Sequence, residues 1–269
     1  MKTADRFWLV ALVLGGLFIW LHDRAWLTAP DDALPLLAAL PLLVWLAAPW
    51  TFSNQPFQFN RALLAAAGVT TVLGLVTGFN LLLSLAWTAA LWSWLGRRLE
   101  AQSRARVLRL LPLAVLAFPW LSLDFPALGW WFRLSAAWSA EHLFALSGFA
   151  VHREGTQLLV AQMPFDVTPA CSGLKALQAM LIAGTALCFV QTSTSRFYWL
   201  GLAGLPLVAW LANAARVVTI VVAALSAGPE FALGWFHGVG GWLVIVGMFG
   251  LTWLGLEALR RCERPTTPA

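Results

Sequence analysis

The segment TPACSGLKAL contains Cys171, one of only 3 cysteines in the chain. Thr168 is a suitable N-cap and Pro169 a suitable first helical residue, so the pattern predicts that a membrane-entering helix begins here. Cys171 would then lie in the first turn, where unpaired amide groups and the helix dipole favour a thiolate. Ser172 is small and leaves the thiol accessible. Lys175 lies 4 residues beyond the cysteine, over the same helical face.

A buried structural cysteine is the competing interpretation, because cysteine behaves as a small apolar residue in membrane helices. A disulfide is not expected. Cys188 lies 17 residues beyond Cys171 in the same predicted helix, a separation of about 25 Å at the helical rise. Cys262 falls in the predicted cytoplasmic tail. We therefore expect Cys188 and Cys262 to have no role in chemistry, and Cys171 to be the reactive thiol.

Arg216 lies inside the apolar run WLANAARVVTIVVAAL. An arginine at the centre of a membrane helix costs about 2.5–3.5 kcal/mol on insertion scales, so it normally faces a polar cavity or a partner. Asn213 precedes it by 3 residues and shares its helical face. A snorkelling or purely structural arginine is the alternative.

His237, in the segment GWFHGVGGW, begins the last apolar run from its predicted outer end. The glycines that follow allow close backbone approach, and Glu230 or Asp166 could orient the imidazole. An interfacial histidine without a chemical role is the alternative. Three other histidines compete for a role on the outer face: His22, His142 and His152.

A thiolate, an imidazole and a guanidinium are the groups needed for acyl transfer through a thioester. The Cys171 thiolate would attack a peptide carbonyl, and the His237 imidazole would protonate the leaving amine and later activate an acceptor. The Arg216 guanidinium would stabilise the oxyanion or hold a substrate carboxylate. The fold must therefore bring three distant positions to one side of the membrane.

The composition predicts an all-α polytopic membrane protein. Of 269 residues, 60% are hydrophobic and only 11% are charged, which is too few charges for a soluble globule of this size. The 17 tryptophans suit lipid contact and interfacial anchoring. The net charge of +5 does not indicate a nucleic-acid partner, since the basic residues are distributed as membrane topology requires. The first apolar run has no close cleavage site and is interpreted as an uncleaved span.

About eight apolar runs are long enough to be candidate spans. They are 7–21, 34–50, 62–78, 80–96, 110–123, 173–190, 197–226 and 238–259. The third and fourth runs, 62–78 and 80–96, are short and are expected to form a tight helical hairpin. The run 197–226 is either two helices or one long helix kinked at Pro206, and we favour one helix because it keeps the arginine-rich tail inside.

The positive-inside rule orients these spans. The loop GRRLEAQSRARVLR and the tail RRCER are expected in the cytoplasm together with both termini. The segment 124–172 then lies outside, with an interfacial or re-entrant helix followed by a small β-hairpin around REGTQ. The whole chain, 1–269, is predicted to be a single integral membrane domain. Its parts are five N-terminal spans (1–123), the outer-face segment (124–172), three core spans (173–259) and a cytoplasmic tail (260–269).

Three motifs in this order resemble the exosortase/archaeosortase family: PACSGLKAL, the NAAR of Asn213–Arg216, and the FHGVGG that contains His237. The resemblance covers roughly 145–245. Lys175 stands where many relatives carry arginine, which keeps the charge but loses the fork geometry. The earlier spans match only as generic apolar helices.

The resemblance implies an inner-membrane cysteine protease and transpeptidase without a cofactor or metal. Its substrates would be membrane-anchored proteins that end in a short Pro-Glu-Pro-like motif, one transmembrane helix and a basic tail. Cleavage would occur on the periplasmic or extracytoplasmic side, and the new carboxyl end would pass to an unspecified acceptor. Cys171 would be the nucleophile, His237 the general acid and base, and Arg216 the oxyanion or positioning group.

Lys175, Asn213 and Ser172 would support substrate binding, and Arg133, Arg153 or Lys175 could recognise an acidic residue of the signal. The alternative function is a non-enzymatic transporter or scaffold component of exopolysaccharide export. An intramembrane arginine and glycine-rich helix ends would suit a lipid-linked sugar phosphate equally well.

Overall fold

The computed structural model describes residues 3–24, 26, 30–53, 59–168 and 173–263. These residues form eleven helices and one three-stranded sheet. A helical chain with a small sheet confirms the coarse fold class expected from the sequence. The chain divides into two compact units, 1–125 and 126–269.

Six helices make up the first unit. They are α1 (Thr3–His22), α2 (Pro30–Leu46), α3 (Arg61–Thr77), α4 (Asn80–Leu95), α5 (Ala101–Leu116) and α6 (Trp120–Asp124). Helices α3 and α4 form the tight hairpin predicted for 62–78 and 80–96. Gly78 ends α3 in the left-handed conformation with φ of 71°. Gly74 allows the two helices to approach closely, since a Cβ there would lie 3.1 Å from the Leu83 backbone nitrogen.

Polar contacts fix the two ends of α4. At its beginning, Asp124 accepts hydrogen bonds from the backbone nitrogens of Asn80 and Leu81 at 3.0 and 2.6 Å. Such a carboxylate satisfies amides that have no intrahelical partner. Beyond its other end, Arg98 forms an ion pair with Asp5 of α1. The start of α1 and the end of α4 therefore lie at the same end of this unit, as the charge-derived topology requires.

The fifth predicted span, 110–123, has different bounds. Helix α5 begins at Ala101, within the predicted arginine-rich loop, and ends at Leu116. Its buried positions include Ser103, Val107 and Leu110, a spacing that places them on one helical face. Arg104, Arg106 and Arg109 of the predicted loop lie instead on this helix, outside its apolar stripe, whereas Arg97 and Arg98 precede it. A break at 117–119 separates α5 from the short α6.

The second unit contains five helices and the sheet. Its elements are α7 (Pro126–Leu146), β1 (Val151–Glu154), β2 (Gln157–Val160), β3 (Met163–Asp166), α8 (Leu174–Gln191), α9 (Ser195–Ala227), α10 (Pro229–Leu233) and α11 (Trp235–Glu263). Helix α9 is central, because it packs against all four other helices of the unit. It runs through Pro206 as one helix of 33 residues, which confirms the choice of one helix over two.

The sheet is antiparallel with strand order β1-β2-β3. The turn expected at REGTQ is present: Glu154 pairs with Gln157, and Gly155 has φ of 60°. The expected two-stranded hairpin is wrong in one respect, since a third strand follows. Its turn is made by Ala161 and Gln162, both with positive φ, and neither residue type is a strong signal for such a turn.

The sheet packs on helices of its own unit. Leu158 and Val160 of β2 lie in one buried cluster with Phe144 of α7 and Val217 of α9. Burial of every second residue of β2 is the pattern of a strand with one covered face. Helix α7 occupies the region expected to be an interfacial helix, and its buried stripe also includes Ala136, Ala137 and Ala140. Its placement relative to a membrane stays a prediction.

Two described helices are long and apolar enough to cross a membrane, over Asp5–His22 and Ser195–Ala227. The shorter apolar helices in the described ranges are Ala33–Leu46, Arg61–Thr77, Asn80–Leu95 and Ala176–Gln191. Large apolar side chains project outward from α1 and α3, with Phe7 73% and Val76 79% exposed. Such exposure suits contact with lipid. The count of eight spans stays a prediction.

Candidate active site

The predicted site residues fall into three groups. Cys171 and Ser172 lie outside the described residues. Lys175 is the second residue of α8 and His237 the third residue of α11, and only their backbones are described. Asn213 and Arg216 lie on α9 with described side chains. The predicted site residues with described side chains are therefore Asn213 and Arg216. The positions of the remaining ones are bounded by their described neighbours in the chain.

Helix α8 begins later than predicted. Its N-cap is Gly173, in the left-handed conformation with φ of 74° and ψ of −3°, and not Thr168. A left-handed residue cannot lie inside a right-handed helix, so α8 does not extend back through Gly173 to the predicted start at Pro169. Pro169 and Cys171 themselves lie outside the described residues. Cys171 precedes α8 by sequence, and the expected placement of Lys175 over the same helical face no longer holds.

Gly173 lies directly against Asn213. A Cβ at Gly173 would lie 2.6 Å from Cγ and 2.8 Å from Oδ1 of Asn213. Glycine is therefore needed there for two reasons, the positive φ and the close approach. Cys171 is 2 residues before Gly173, so their Cα atoms are at most about 7 Å apart. The contact brings the segment that carries Cys171 to the helix that carries Asn213 and Arg216.

The Asn213 side chain is buried and has no hydrogen-bond partner among the described residues. It is 3% exposed, and neither Nδ2 nor Oδ1 is bonded within the part of the chain that the structure describes. Arg216 follows one turn later on the same face and is partly buried. The Arg216 carbonyl accepts a hydrogen bond from Thr219 Oγ1 at 2.9 Å.

The residue before His237 lies against α9 as well. Phe236 packs on a buried cluster that contains Ile220 and Ala224 of α9 and Ala232 of α10. Ile220 is 4 residues beyond Arg216, on the same face. The start of α11, which carries His237, therefore lies near the part of α9 that follows Arg216.

Arg133 of α7 binds the chain just before the cysteine segment. Its Nε donates to the Val167 carbonyl at 2.5 Å, and its guanidinium also donates to Thr156 Oγ1 at 3.3 Å. The Val167 nitrogen donates to the Thr156 carbonyl at 3.1 Å, and Thr156 Oγ1 donates to Asp166 Oδ1 at 3.3 Å. These bonds tie the exit of β3 to the β1-β2 turn and to α7. The sequence predicted Arg133 only as a group that could recognise an acidic residue of the substrate.

Other polar residues near the sheet have internal partners too. Arg153, the second candidate reader of an acidic substrate, donates to Glu141 at 2.6 Å and to the Gly155 carbonyl at 3.0 Å. Among the competing histidines, His142 bonds the Trp138 carbonyl of its own helix at 2.9 Å. Within the described ranges, His, Cys, Asp and Glu side chains do not group as metal ligands would.

A cavity of about 250 Å³ lies beside this region. Its walls come from β2, β3, the segment after β3, α9 and α10, and include Leu158, Asp166, Thr168, Val217, Ile220 and Pro229. Thr168 is the last described residue before Cys171. The walls are mostly apolar with two polar groups, which is typical of a ligand-binding cavity.

Cys188 lies in an apolar packing cluster. It is fully buried in a cluster with Tyr198, Leu205 and Leu256. Gly201 of α9 packs against its sulfur, since a Cβ there would lie 3.0 Å from Sγ. These contacts fit the expectation that Cys188 only fills space.

The long apolar helices and the outward-facing apolar side chains fit a membrane protein. Residues 7–254 match the family model described as transmembrane exosortase, so the chain belongs to the transmembrane exosortase family. Comparison with curated proteins gave no significant match, and comparison with solved structures gave none. Membership is consistent with a membrane protein that acts on protein substrates as a sorting transpeptidase.

Proposed function

We propose that the protein is a membrane cysteine protease and transpeptidase that cleaves C-terminal sorting signals of exported proteins. Cys171 is the nucleophile, His237 the general acid and base, and Arg216 stabilises the oxyanion or positions the substrate. The contact of Gly173 with Asn213 carries the proposal, because Gly173 follows Cys171 by 2 residues and lies against the α9 face that includes Arg216. Family membership supports the reaction class.

The reaction proceeds in two half-reactions. The Cys171 thiolate attacks the scissile carbonyl carbon, a C–S bond forms, and the carbonyl π electrons move to oxygen. The oxyanion then collapses, the C–N bond breaks, and His237 gives its proton to the leaving amine. A water molecule or an amine acceptor attacks the thioester, His237 removes its proton, and the thiolate is released. Hydrolysis and transfer therefore differ only in the acceptor.

The cavity beside β3 is the proposed binding site for the substrate residues next to the scissile bond. It is mostly apolar, and its described wall includes Thr168, 3 residues before Cys171. The proline rings of a short Pro-Glu-Pro-like segment are apolar and suit the apolar part of this wall. The polar groups of Asp166 and Thr168 in the same wall offer hydrogen-bonding atoms for orientation.

The proposed location is the inner membrane, with both termini in the cytoplasm and the active site on the outer face. The arginine-rich loop and tail support this orientation through the positive-inside rule. The ion pair of Asp5 with Arg98 supports it too, because it puts two predicted cytoplasmic segments at one end of the first unit.

The test is Cys171→Ala, with co-expression of a tagged reporter that ends in Pro-Glu-Pro, one transmembrane helix and a basic tail. Conversion of the reporter to a shorter form is followed by immunoblot. We expect the variant to accumulate normally and to leave the reporter uncut, because no other thiol replaces the nucleophile. Cys188→Ala is the matched control and keeps processing, since that cysteine is buried in a packing cluster. Full processing by Cys171→Ala refutes the peptidase and favours a non-enzymatic transport component.

A further inference from the structure

Asn213 has a buried amide group whose hydrogen-bonding capacity the described structure does not use. Both its donor, Nδ2, and its acceptor, Oδ1, are shielded from solvent and lack a partner within the described ranges. Buried side-chain amides are nearly always hydrogen-bonded, because an unpaired one has lost its hydration without replacement. The side chain lies over Gly173 rather than against lipid-facing surface. This combination indicates a site that a ligand completes.

We infer that Asn213 binds the backbone of the substrate peptide at the scissile bond. Nδ2 donates to the oxygen of the carbonyl group whose carbon Cys171 attacks, and Oδ1 accepts from a backbone N–H of the same peptide. The inference rests on the proposed function and assigns to Asn213 a direct contact with the reacting atoms.

The chemistry of the amide selects this ligand. A primary amide presents one donor group and one acceptor side by side, and an extended peptide presents the complementary pair, C=O and N–H. An inorganic anion would leave Oδ1 unpaired, and a cation would leave Nδ2 unpaired. A peptide group satisfies both atoms at once. The mostly apolar cavity on the same helix, lined by Val217 and Ile220, accepts the neighbouring side chains of that peptide.

The position of Asn213 also suits the formation of the oxyanion, the step at which negative charge must be stabilised. The Cα atoms of Cys171 and Gly173 are at most about 7 Å apart along the chain, and Gly173 lies in contact with the amide. When the thiolate adds, negative charge develops on the carbonyl oxygen. A donor fixed in a water-free site then binds the oxyanion more strongly than it bound the neutral carbonyl. Asn213 therefore stabilises both tetrahedral intermediates, before and after the thioester.

The experiment compares Asn213→Ala, Asn213→Asp and the control Thr185→Val by single-turnover processing of the Pro-Glu-Pro reporter in proteoliposomes. Aspartate keeps the size and the acceptor but removes the donor. We expect both Asn213 variants to process about 10²–10³-fold more slowly, the range measured when one oxyanion donor is removed. Thr185→Val should keep the wild-type rate, because that buried hydroxyl donates within its own helix to the Leu181 carbonyl.

Two further measurements separate direct contact from a structural role. Alkylation of Cys171 by iodoacetamide forms no oxyanion, so its rate in Asn213→Ala should equal that of wild type. The unfolding midpoint of that variant should be unchanged or higher, because an unpaired buried amide has been removed. A parallel fall in alkylation, or a lower midpoint, overturns the inference in favour of a structural asparagine.

The two hypotheses fail differently. A wild-type processing rate in Asn213→Asp overturns the role of Asn213 while leaving the peptidase intact. Continued processing by Cys171→Ala removes the proposed function itself. If Asn213→Ala fails to accumulate, the aspartate variant decides, since it preserves the shape of the side chain.

Discussion

Replacement of Gly173 by alanine tests the contact on which the site depends. Two effects add. A left-handed backbone costs a non-glycine residue about 1–2 kcal/mol. The new methyl group would also lie 2.6 Å from Asn213 Cγ, and overpacking of a buried site costs about 1–3 kcal/mol. The free energy of unfolding should therefore fall by about 2–5 kcal/mol.

Gly148→Ala is the matched control. Gly148 lies in the same unit and has φ of 85°, but a Cβ there meets nothing within 4 Å. Gly148→Ala should lower the free energy of unfolding only by the backbone contribution, about 1–2 kcal/mol. Unfolding is followed in detergent by intrinsic tryptophan fluorescence during heating. At about 4 °C per kcal/mol for a unit of this size, Gly173→Ala should unfold about 4–12 °C below the control.

A double variant isolates the steric part. Asn213→Ala removes the Cγ and Oδ1 atoms that the new methyl group would meet. In the Asn213→Ala background, Gly173→Ala should lower the free energy of unfolding by no more than Gly148→Ala does. The coupling free energy between the substitutions at Gly173 and Asn213 should therefore be about 1–3 kcal/mol. Equal midpoints for Gly173→Ala and Gly148→Ala in the otherwise unchanged protein would refute the contact, and with it the argument that Cys171 lies near Asn213.

Two other predictions concern the cysteine segment. Arg133→Met should lower the unfolding free energy by about 1–3 kcal/mol and slow reporter processing, since it leaves the buried Val167 carbonyl without its donor. Arg153→Met removes a partly exposed ion pair and an exposed hydrogen bond to the Gly155 carbonyl, so its unfolding free energy should fall by only about 0–1 kcal/mol. Equal losses in the two variants would show that the Arg133 contact is no stronger than an exposed one. A membrane-impermeant maleimide added to intact spheroplasts should label Cys171 and leave Cys188 and Cys262 unlabelled, as read by mass mapping. Labelling of Cys262 from outside would invert the proposed topology.

Much of the helical framework follows from local sequence. The hairpin of α3 and α4 was predictable because an apolar run is interrupted by Gly78, and glycine readily ends a helix in the left-handed conformation. The single long α9 was predictable because splitting it would move the basic tail to the outer side. The turn at Gly155 was predictable too, because glycine readily adopts the left-handed conformation.

The departures arise where local signals compete. Thr168 and Pro169 form a good helix start by type, yet α8 begins after Gly173, whose contact with Asn213 joins residues far apart in sequence. The third strand was missed because Ala161 and Gln162 adopt positive φ without a glycine or asparagine. In both cases, non-local packing decides the conformation.

The site, too, has features that the sequence could predict and features that it could not. The nature and spacing of Asn213 and Arg216 could be recognised from the sequence, because polar residues are conspicuous inside an apolar helix. Whether an amide is paired or unpaired is a property of the surrounding fold, so the unused bonds of Asn213 were invisible. The role of Arg133 was missed because its target is a backbone carbonyl, which leaves no mark in the sequence.

That last contact has a consequence for related chains. Arg133 binds a main-chain oxygen at Val167, and every amino acid carries such an oxygen. Substitution at 167 can therefore preserve the bond as long as the apolar packing is kept, whereas replacement of the guanidinium removes it. Related chains should therefore vary freely among apolar residues at position 167 and keep arginine at position 133.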